Sequence, residues 1–399
     1  LDNLIDEDYR YLKDDSDSYD WIFDYDTGYL SVGGVSDYCI DYFTSWKGPV
    51  YDKEEDRLGN VSKASGLYTG SSCVPSKAYE SICHVQNVYQ IPASIKNINS
   101  IKALIMEHGS VTASICADTK YFSYNDVALY DYEPFEPDKN NADHEILIVG
   151  WSDDYAVDNF INAPPDKGAW ICRNSWGKTS GENGYFYASF YDNVLQTYNV
   201  TAYSAALKED ELWFDNNYQV AGNISHITDA IVDSKNKVYS YDECIYPYGV
   251  IFEATGTEEL KAVSFISAET DREVEISVYK NIEVKDNISF EEMGEPLQII
   301  NTRFVTGGFH TVELDKAIEL SAGDNFFVVI TPVNPGKIIY EKAMDSTADD
   351  NYDYWGNYLG SIRTVNTASG RSYFLSEDGF GLTKQEDKDF AIKAYTNDK

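Results

Sequence analysis

Two residues have the types and the setting for proton-transfer chemistry. His144 opens an apolar run that ends at Gly150 and Trp151, and Asn174 closes a second run that begins at Gly168. Both runs read as short strands. A hairpin that pairs Gly150 with Gly168 also sets His144 opposite Asn174, and side chains so opposed stand about 4.5–5.5 Å apart at Cβ. An asparagine carbonyl at that distance can hold an imidazole in one tautomer and orientation. That is the base-plus-orienter half of a Cys-His-Asn nucleophilic machine. For an isolated pair, a satisfied core histidine and a turn asparagine would be the better reading. Here the pair is embedded in Asp143-His144, Gly150-Trp151, Asn174-Ser175-Trp176-Gly177 and Gly181-Glu182-Asn183-Gly184-Tyr185.

Those ordered blocks resemble the second half of a papain-like cysteine peptidase. The resemblance implies His144 as general base, Asn174 as its orienter, Trp176 as a cover that keeps water off their hydrogen bond, and Asp143 in support. It also implies a nucleophilic cysteine in a Cys-Trp pair at the start of a long helix, because the thiolate is the attacking species. No Cys-Trp pair occurs. The six cysteines are Cys39, Cys73, Cys83, Cys116, Cys172 and Cys244. Cys39 stands at a suitable sequence distance before Asn174, but it follows Gly33-Gly34, which resembles the family's substrate-binding glycines, and those come after the nucleophile. The expectation is therefore that the nucleophile and its oxyanion glutamine lie upstream of Leu1, and that residues 1–399 alone are inactive. Gly33 and Gly34 would pair with an extended substrate, since glycine lets another backbone approach closely.

Elements must position these groups. Residues 35–46 have helical spacing, stopped by Gly48-Pro49. Residues 84–89 read as a strand, and residues 99–108 as a helix with Asn99 as N-cap and Gly109 as stop. Residues 111–115 read as the strand that, by the resemblance, lines the pocket for the second substrate residue and carries Ser114 near its floor. The polar excursion 153–165 is expected to project beside the cleft. His108 reads as a helix-end dipole partner, and His84, His226 and His310 as structural. Cys116 and Cys172 read as buried thiols, and Cys73 could bridge Cys83.

The 399 residues exceed one ordinary domain. A net charge of −36 and a pI near 4.3 argue against nucleic acid and against anionic membranes, and no apolar run is long enough for a membrane helix. Beyond residue 204 the pattern alternates with period two, at 259–265, 274–279, 310–314 and 326–330, separated by Gly256, Gly307-Gly308 and Gly323-Asp324. Such spacing predicts a β-sandwich. With residues 215–219, 319–330, 372–374 and 391–395 it resembles the lectin-like domain that follows papain-like domains in clostridial cell-surface peptidases. Asp349, Asn351 and Asp353 begin like a calcium loop, but Tyr354 replaces the required glycine and Gly360 the terminal glutamate, which excludes an EF-hand.

The expected architecture is thus an α+β papain-like peptidase fold over 1–203, with a partial left lobe and a β-rich right lobe, followed by an all-β sandwich over 204–399. The expected function is hydrolysis of peptide bonds in extracellular or cell-surface proteins, with no metal or organic cofactor in the chemistry and structural calcium as an option. Cell-wall glycan or a surface-layer protein are the candidate partners, and an extracellular or wall-associated location follows from the resemblance. The alternative is an inactive pseudo-peptidase that serves as a surface protein- or glycan-binding module.

Overall fold

Alternation of large apolar side chains on adjacent strands builds the element that matters most. In β2 (Val111–Ile115), β4 (His144–Ser152), β5 (Ala169–Arg173) and β6 (Tyr185–Ser189), one face supplies Val111, Ala113, Ile115, Ile146, Ile148, Trp170, Cys172, Phe186 and Ala188, all buried. Helix α2 (Ile98–His108) covers that face with Ile101, Leu104 and Ile105. Each fully buried aliphatic side chain contributes roughly 1.5–3 kcal/mol. Gly109 ends the helix in the left-handed region at φ 83°, donating its N–H to the Ile105 carbonyl. The N-cap is Asn97 rather than Asn99, and its side chain does not cap: it donates to the Pro92 carbonyl and ties the helix entry to the preceding strand, β1 (His84–Pro92).

The computed structural model describes residues 36–46, 48–49, 60–62, 67–69, 81–123, 126–136, 142–221, 230–232, 238–240, 245–342 and 369–399. Gly33, Gly34, the acidic stretch 1–30, Cys73, His226, Cys244 and the acidic run at Asp349, Asn351 and Asp353 lie outside the described residues.

Contacts divide the chain into two units. One is Val88–Ser204 with Thr306–Gly308, and the other is Leu1–Asn87, Ala205–Val305 and Phe309–Lys399. In the first, the strands run in the order β1, β7 (Asn199–Ala206), β2, β4, β5, β6 and β3 (Ala128–Leu129). The turn after β6 is fixed by a fully buried carboxylate. Asp192 accepts the backbone N–H groups of Asp131 and Leu195 at 2.8 and 2.9 Å. Burial raises Asp192 to about 7, against those hydrogen bonds.

In the other unit, four strands in the order β8 (Asn216–Gln219), β18 (Ile392–Asp398), β10 (Glu258–Ser267) and β14 (Gly307–Leu320) belong to one sheet. A second sheet has seven strands in the order β12 (Asn287–Ser289), β17 (Gly381–Lys384), β16 (Ser372–Leu375), β9 (Tyr248–Glu253), β15 (Asn325–Pro332), β11 (Arg272–Lys280) and β13 (Gln298–Phe304). One core draws on both sheets: Val250, Phe252, Ile276, Phe326 and Val328 come from the second, and Leu260, Phe265, Leu320 and Ala394 from the first. This is the two-sheet arrangement that period-two alternation predicts. Helix α1 (Ser36–Thr44) belongs to this unit. Just beyond it, Trp46 stacks on His84 at 3.8 Å, His84 on Trp213 at 3.6 Å, and Trp46 on Tyr395 at 5.4 Å between ring centroids. His84 is structural, as the sequence implies, and burial lowers it to about 4. His310 is likewise buried and stacks on Phe304 at 4.3 Å.

Candidate active site

His144 and Asn174 meet, but not by direct opposition. β4 and β5 pair Leu147 with Arg173 and Ile148 with Cys172, and then Gly150 with Ile171. Around Leu147 the register lies two residues from the one expected, and a bulge at Val149 adds a third by Gly150. A two-residue slip preserves which face each side chain occupies, whereas a one-residue slip inverts it. The expected juxtaposition therefore survives an incorrect register. It becomes a diagonal contact, within reach of both side chains. Gly150 does not pair with Gly168.

His144 Nε2 lies 2.9 Å from Asn174 Oδ1. An amide oxygen can only accept, so Nε2 carries the proton and Nδ1 keeps its lone pair, available as a base. Asn174 is held through both its side chain and its backbone. Its Oδ1 also accepts the Ser175 N–H at 2.8 Å, and the Asn174 N–H donates to the Gly184 carbonyl at 2.9 Å. The Trp176 indole lies over the imidazole, 4.9 Å between centroids and 26° from parallel. Phe122 supports it at 6.1 Å. Trp176 thus stacks on the ring that makes the hydrogen bond while remaining 43 % exposed itself.

Asp143 fixes the backbone beside His144 from the other side. Its N–H donates to the Ile115 carbonyl at 3.1 Å, and its carboxylate accepts the Ala117 N–H at 2.7 Å. The start of β4 is therefore locked to the end of β2. The loop after Asn174 depends on glycine at one point above others. Gly181 has φ 55°, and a Cβ there would sit 2.2 Å from the Tyr185 carbonyl oxygen, too close for any other residue.

Ser114 stands on β2 directly across from Glu145, while Ile115 pairs with His144. Ser114 and Glu145 thus project from the face opposite His144, and the Ser114 hydroxyl donates to Glu145 at 2.7 Å. Glu145 was not singled out from sequence: nothing in either strand alone shows that a serine and a glutamate are cross-strand partners.

The excursion 153–168 does not border the His–Asn pair. It joins the far ends of β4 and β5, eight strand positions from His144, or about 26 Å at 3.3 Å per residue. There Tyr155 stacks on Tyr187 at 4.3 Å, Phe160 is buried, and Asp153 and Asp154 pair with Lys102 and Lys167. Among the described residues no group of three or more His, Cys, Asp or Glu side chains is arranged to hold a metal.

Cys116 and Cys172 are buried free thiols, as read from sequence, and Cys83 is a free thiol as well. Burial raises all three above the ordinary cysteine value, which disfavours the thiolate. Cys39 is exposed on α1.

The family model for papain family cysteine proteases matches residues 27–206, and the lectin-like domain model matches residues 234–396. Among curated proteins, cathepsin Z of Onchocerca volvulus is 30 % identical over 167 residues, covering 41 % of this chain and 47 % of the relative. A cathepsin L-like peptidase of Aedes aegypti is 26 % identical over 161 residues, 38 % of each. The chain thus spans less than half the length of these curated relatives. Among solved structures, the cysteine protease and lectin-like domains of Cwp84, a surface layer associated protein of Clostridium difficile, superpose with TM-score 0.63 at 22 % identity, covering 91 % of this chain and 73 % of that one. Cwp84 after propeptide cleavage gives TM-score 0.65 at 21 % identity, over 92 % and 83 %. At those identities the likeness concerns the fold.

Proposed function

Because residues 27–206 belong to the papain family of cysteine proteases and a lectin-like domain follows over 234–396, we propose that His144 and Asn174 serve a cysteine endopeptidase. The single observation that supports this most is the 2.9 Å contact from His144 Nε2 to Asn174 Oδ1 beneath the Trp176 indole.

In this reading His144 Nδ1 takes the proton of a cysteine thiol. The thiolate attacks the scissile carbonyl carbon, and the C–N bond breaks as the imidazolium returns the proton to the leaving amine. Water, deprotonated by the same nitrogen, then releases the acyl group. Asn174 holds the ring through both transfers. Trp176 keeps water from the hydrogen bond, which strengthens it. Gly33, Gly34 and Ser114 would contact the substrate. The reactive thiol is none of the buried cysteines, whose environments disfavour the charged form, and we assign it to no cysteine of residues 1–399. Extracellular or surface-layer proteins are the proposed substrates, by analogy with Cwp84, a surface layer associated protein. The lectin-like domain would bind protein or glycan at the same surface.

Casein hydrolysis tests the reading. Residues 1–399 alone are expected to release no peptide. The full natural gene product is expected to release peptide, and His144→Ala to lower that rate by about a hundredfold or more. Hydrolysis by residues 1–399 that disappears with Cys39→Ala would overturn the assignment of the thiol. Full-length hydrolysis indifferent to His144→Ala would overturn the whole reading.

A further inference from the structure

Two carboxylates take no part in the chemistry described so far. Asp131 and Asp192 are both wholly buried, and among the described residues neither forms an ion pair with a lysine, an arginine or a histidine. They lie on two segments that hydrogen bonds join. The Asp131 N–H donates to Asp192 Oδ2 at 2.8 Å, the Asp131 carbonyl accepts the Asn193 N–H at 3.0 Å, and the Asn193 side-chain amide donates to the Glu133 carbonyl at 2.9 Å. Asp192 Oδ1 accepts the Leu195 N–H at 2.9 Å, and Asp131 Oδ1 accepts the Glu133 N–H at 3.0 Å. The second carboxylate oxygen of Asp131, Oδ2, is buried and meets no hydrogen-bond donor.

A charge taken out of water is costly unless an opposite charge meets it, and two negative charges in one dry volume also repel. The groups that face the pair do not relieve it. Asp192 faces Tyr130 and the Cys172 thiol, both neutral at pH 7. Asp131 faces Tyr121, Cys116 and Glu133. Lys120, the cation whose charge reaches Asp131, is already paired with Asp118 and Glu133 at 3.7 and 3.5 Å. The pair therefore keeps one proton above the ordinary carboxylate range, in line with burial raising Asp192 to about 7 and Asp131 in the same direction. A short route leads from the pair to the base. Residues 121–123 run antiparallel to 128–130, with Phe122 opposite Leu129, and Asp131 follows directly. Phe122 is buried, with its ring 6.1 Å from Trp176 and 5.5 Å from Phe186. Trp176 stacks on His144 in turn.

We propose that Asp192 is a positioning residue for the His144 site: through Asp131 it fastens the arm that presses Phe122 against Trp176, and its grip weakens as the Asp131–Asp192 pair loses its proton. With the arm unfastened, Asp192 meets water and returns to its ordinary value of 3.8. The fastened state holds a proton up to about pH 7 that the unfastened state releases. Fastening is thus firmest below pH 3.8, weakens as pH rises to 7, and changes no further above it. Between pH 5 and pH 7 the ratio of fastened to unfastened chains falls roughly fiftyfold. The inference rests on the peptidase reading of the His144–Asn174 pair, because that reading makes the seat of Trp176 matter to the chemistry.

Hydrogen exchange of residues 1–399 tests this, with each amide corrected for its intrinsic rate. In the wild type, the open population read at the Asp131 and Leu195 amides is expected to rise roughly fiftyfold from pH 5 to pH 7. The Ser175 amide, which donates to Asn174 Oδ1, should follow in part. Asp192→Asn, close to isosteric and without charge, should hold all three within about threefold. Phe122→Leu loosens the link and leaves the pair, so it should keep the dependence at Asp131 and lose it at Ser175. The wild type and this second variant decide the question even where Asp192→Asn does not fold. In the full natural product, the kcat of Asp192→Asn on casein relative to wild type should climb from pH 5 to pH 7 at unchanged KM. Protection at Asp131 that ignores pH, a dependence that survives Asp192→Asn, or a Ser175 amide unmoved while Asp131 responds would each overturn the proposal and leave the peptidase reading standing. Casein hydrolysis indifferent to His144→Ala sinks that reading and leaves the fastening intact.

Discussion

Acidification should loosen the unit that contains His84, by an amount the aromatic stack makes calculable. His84 is 8 % exposed and lies between the indoles of Trp46 and Trp213. Burial lowers it from 6.5 to about 4, opposed by the polar backbone at Phe214 and by the nearby Asp215 carboxylate. The unfolded chain therefore binds a proton between these two values that the folded chain refuses. Stability is full above pH 6.5, declines as pH falls, and reaches its lowest contribution from this group near pH 4. At about 1.36 kcal/mol per pH unit, the whole effect is about 3 kcal/mol, and about 2 kcal/mol of it is lost by pH 5. With a urea dependence of about 2–3 kcal/mol per molar, the unfolding midpoint should fall by nearly 1 M between pH 7 and pH 5. Tryptophan fluorescence is the natural readout, since two of the reporting indoles touch the titrating ring. His84→Phe keeps a flat ring in the slot and removes the titration. Its midpoint at pH 7 will shift through the changed ring packing, but its decline toward pH 5 should be shallower by about 2 kcal/mol. Asp192, in the other unit, acts in the opposite sense. Raised to about 7, it holds a proton that the unfolded chain releases, and so favours the fold increasingly as pH falls from 7 toward 3.8. It contributes equally to both proteins and cancels in the comparison. Identical pH slopes for wild type and His84→Phe would refute the argument.

Asn174→Ala should release the imidazole while leaving the sheet intact. Nitrogen-15 shifts of His144 are expected to change from one tautomer, protonated at Nε2, to a mixture, and retention of the single tautomer would show that another group sets it. Gly181→Ala should destabilise the loop between Asn174 and Tyr185 by about 1–3 kcal/mol, from a positive φ combined with a 2.2 Å clash. Hydrogen exchange of the Glu182 and Gly184 amides reads this locally, and unchanged protection would contradict it.

How much of this was legible beforehand depended on whether the physics was local. The strand Val111–Ile115 was read without error, because strict alternation of Val111, Ala113 and Ile115 admits one face as buried. The left-handed stop at Gly109 was equally plain. The N-cap was misplaced by two residues because Asn97 and Asn99 are equally good capping residues in isolation, and the choice fell to a hydrogen bond with Pro92. The excursion after Ser152 was placed at the wrong end of its hairpin. Its polarity marked a loop, but only strand direction fixes which end of the sheet a loop occupies.

The sequence by itself determined that a histidine and an asparagine would share one face of neighbouring strands, that a tryptophan would follow them, and that the remainder would be a two-sheet β structure. Each of these rests on side-chain period, which survives a slip of two residues. The tertiary structure decided the diagonal register and the bulge at Val149, the nitrogen through which His144 is held, the stacking of Trp46 on His84, and the pairing of Ser114 with Glu145. These depend on contacts between segments distant along the chain, selected by packing and the closing of hydrogen bonds, and no local pattern carries that information.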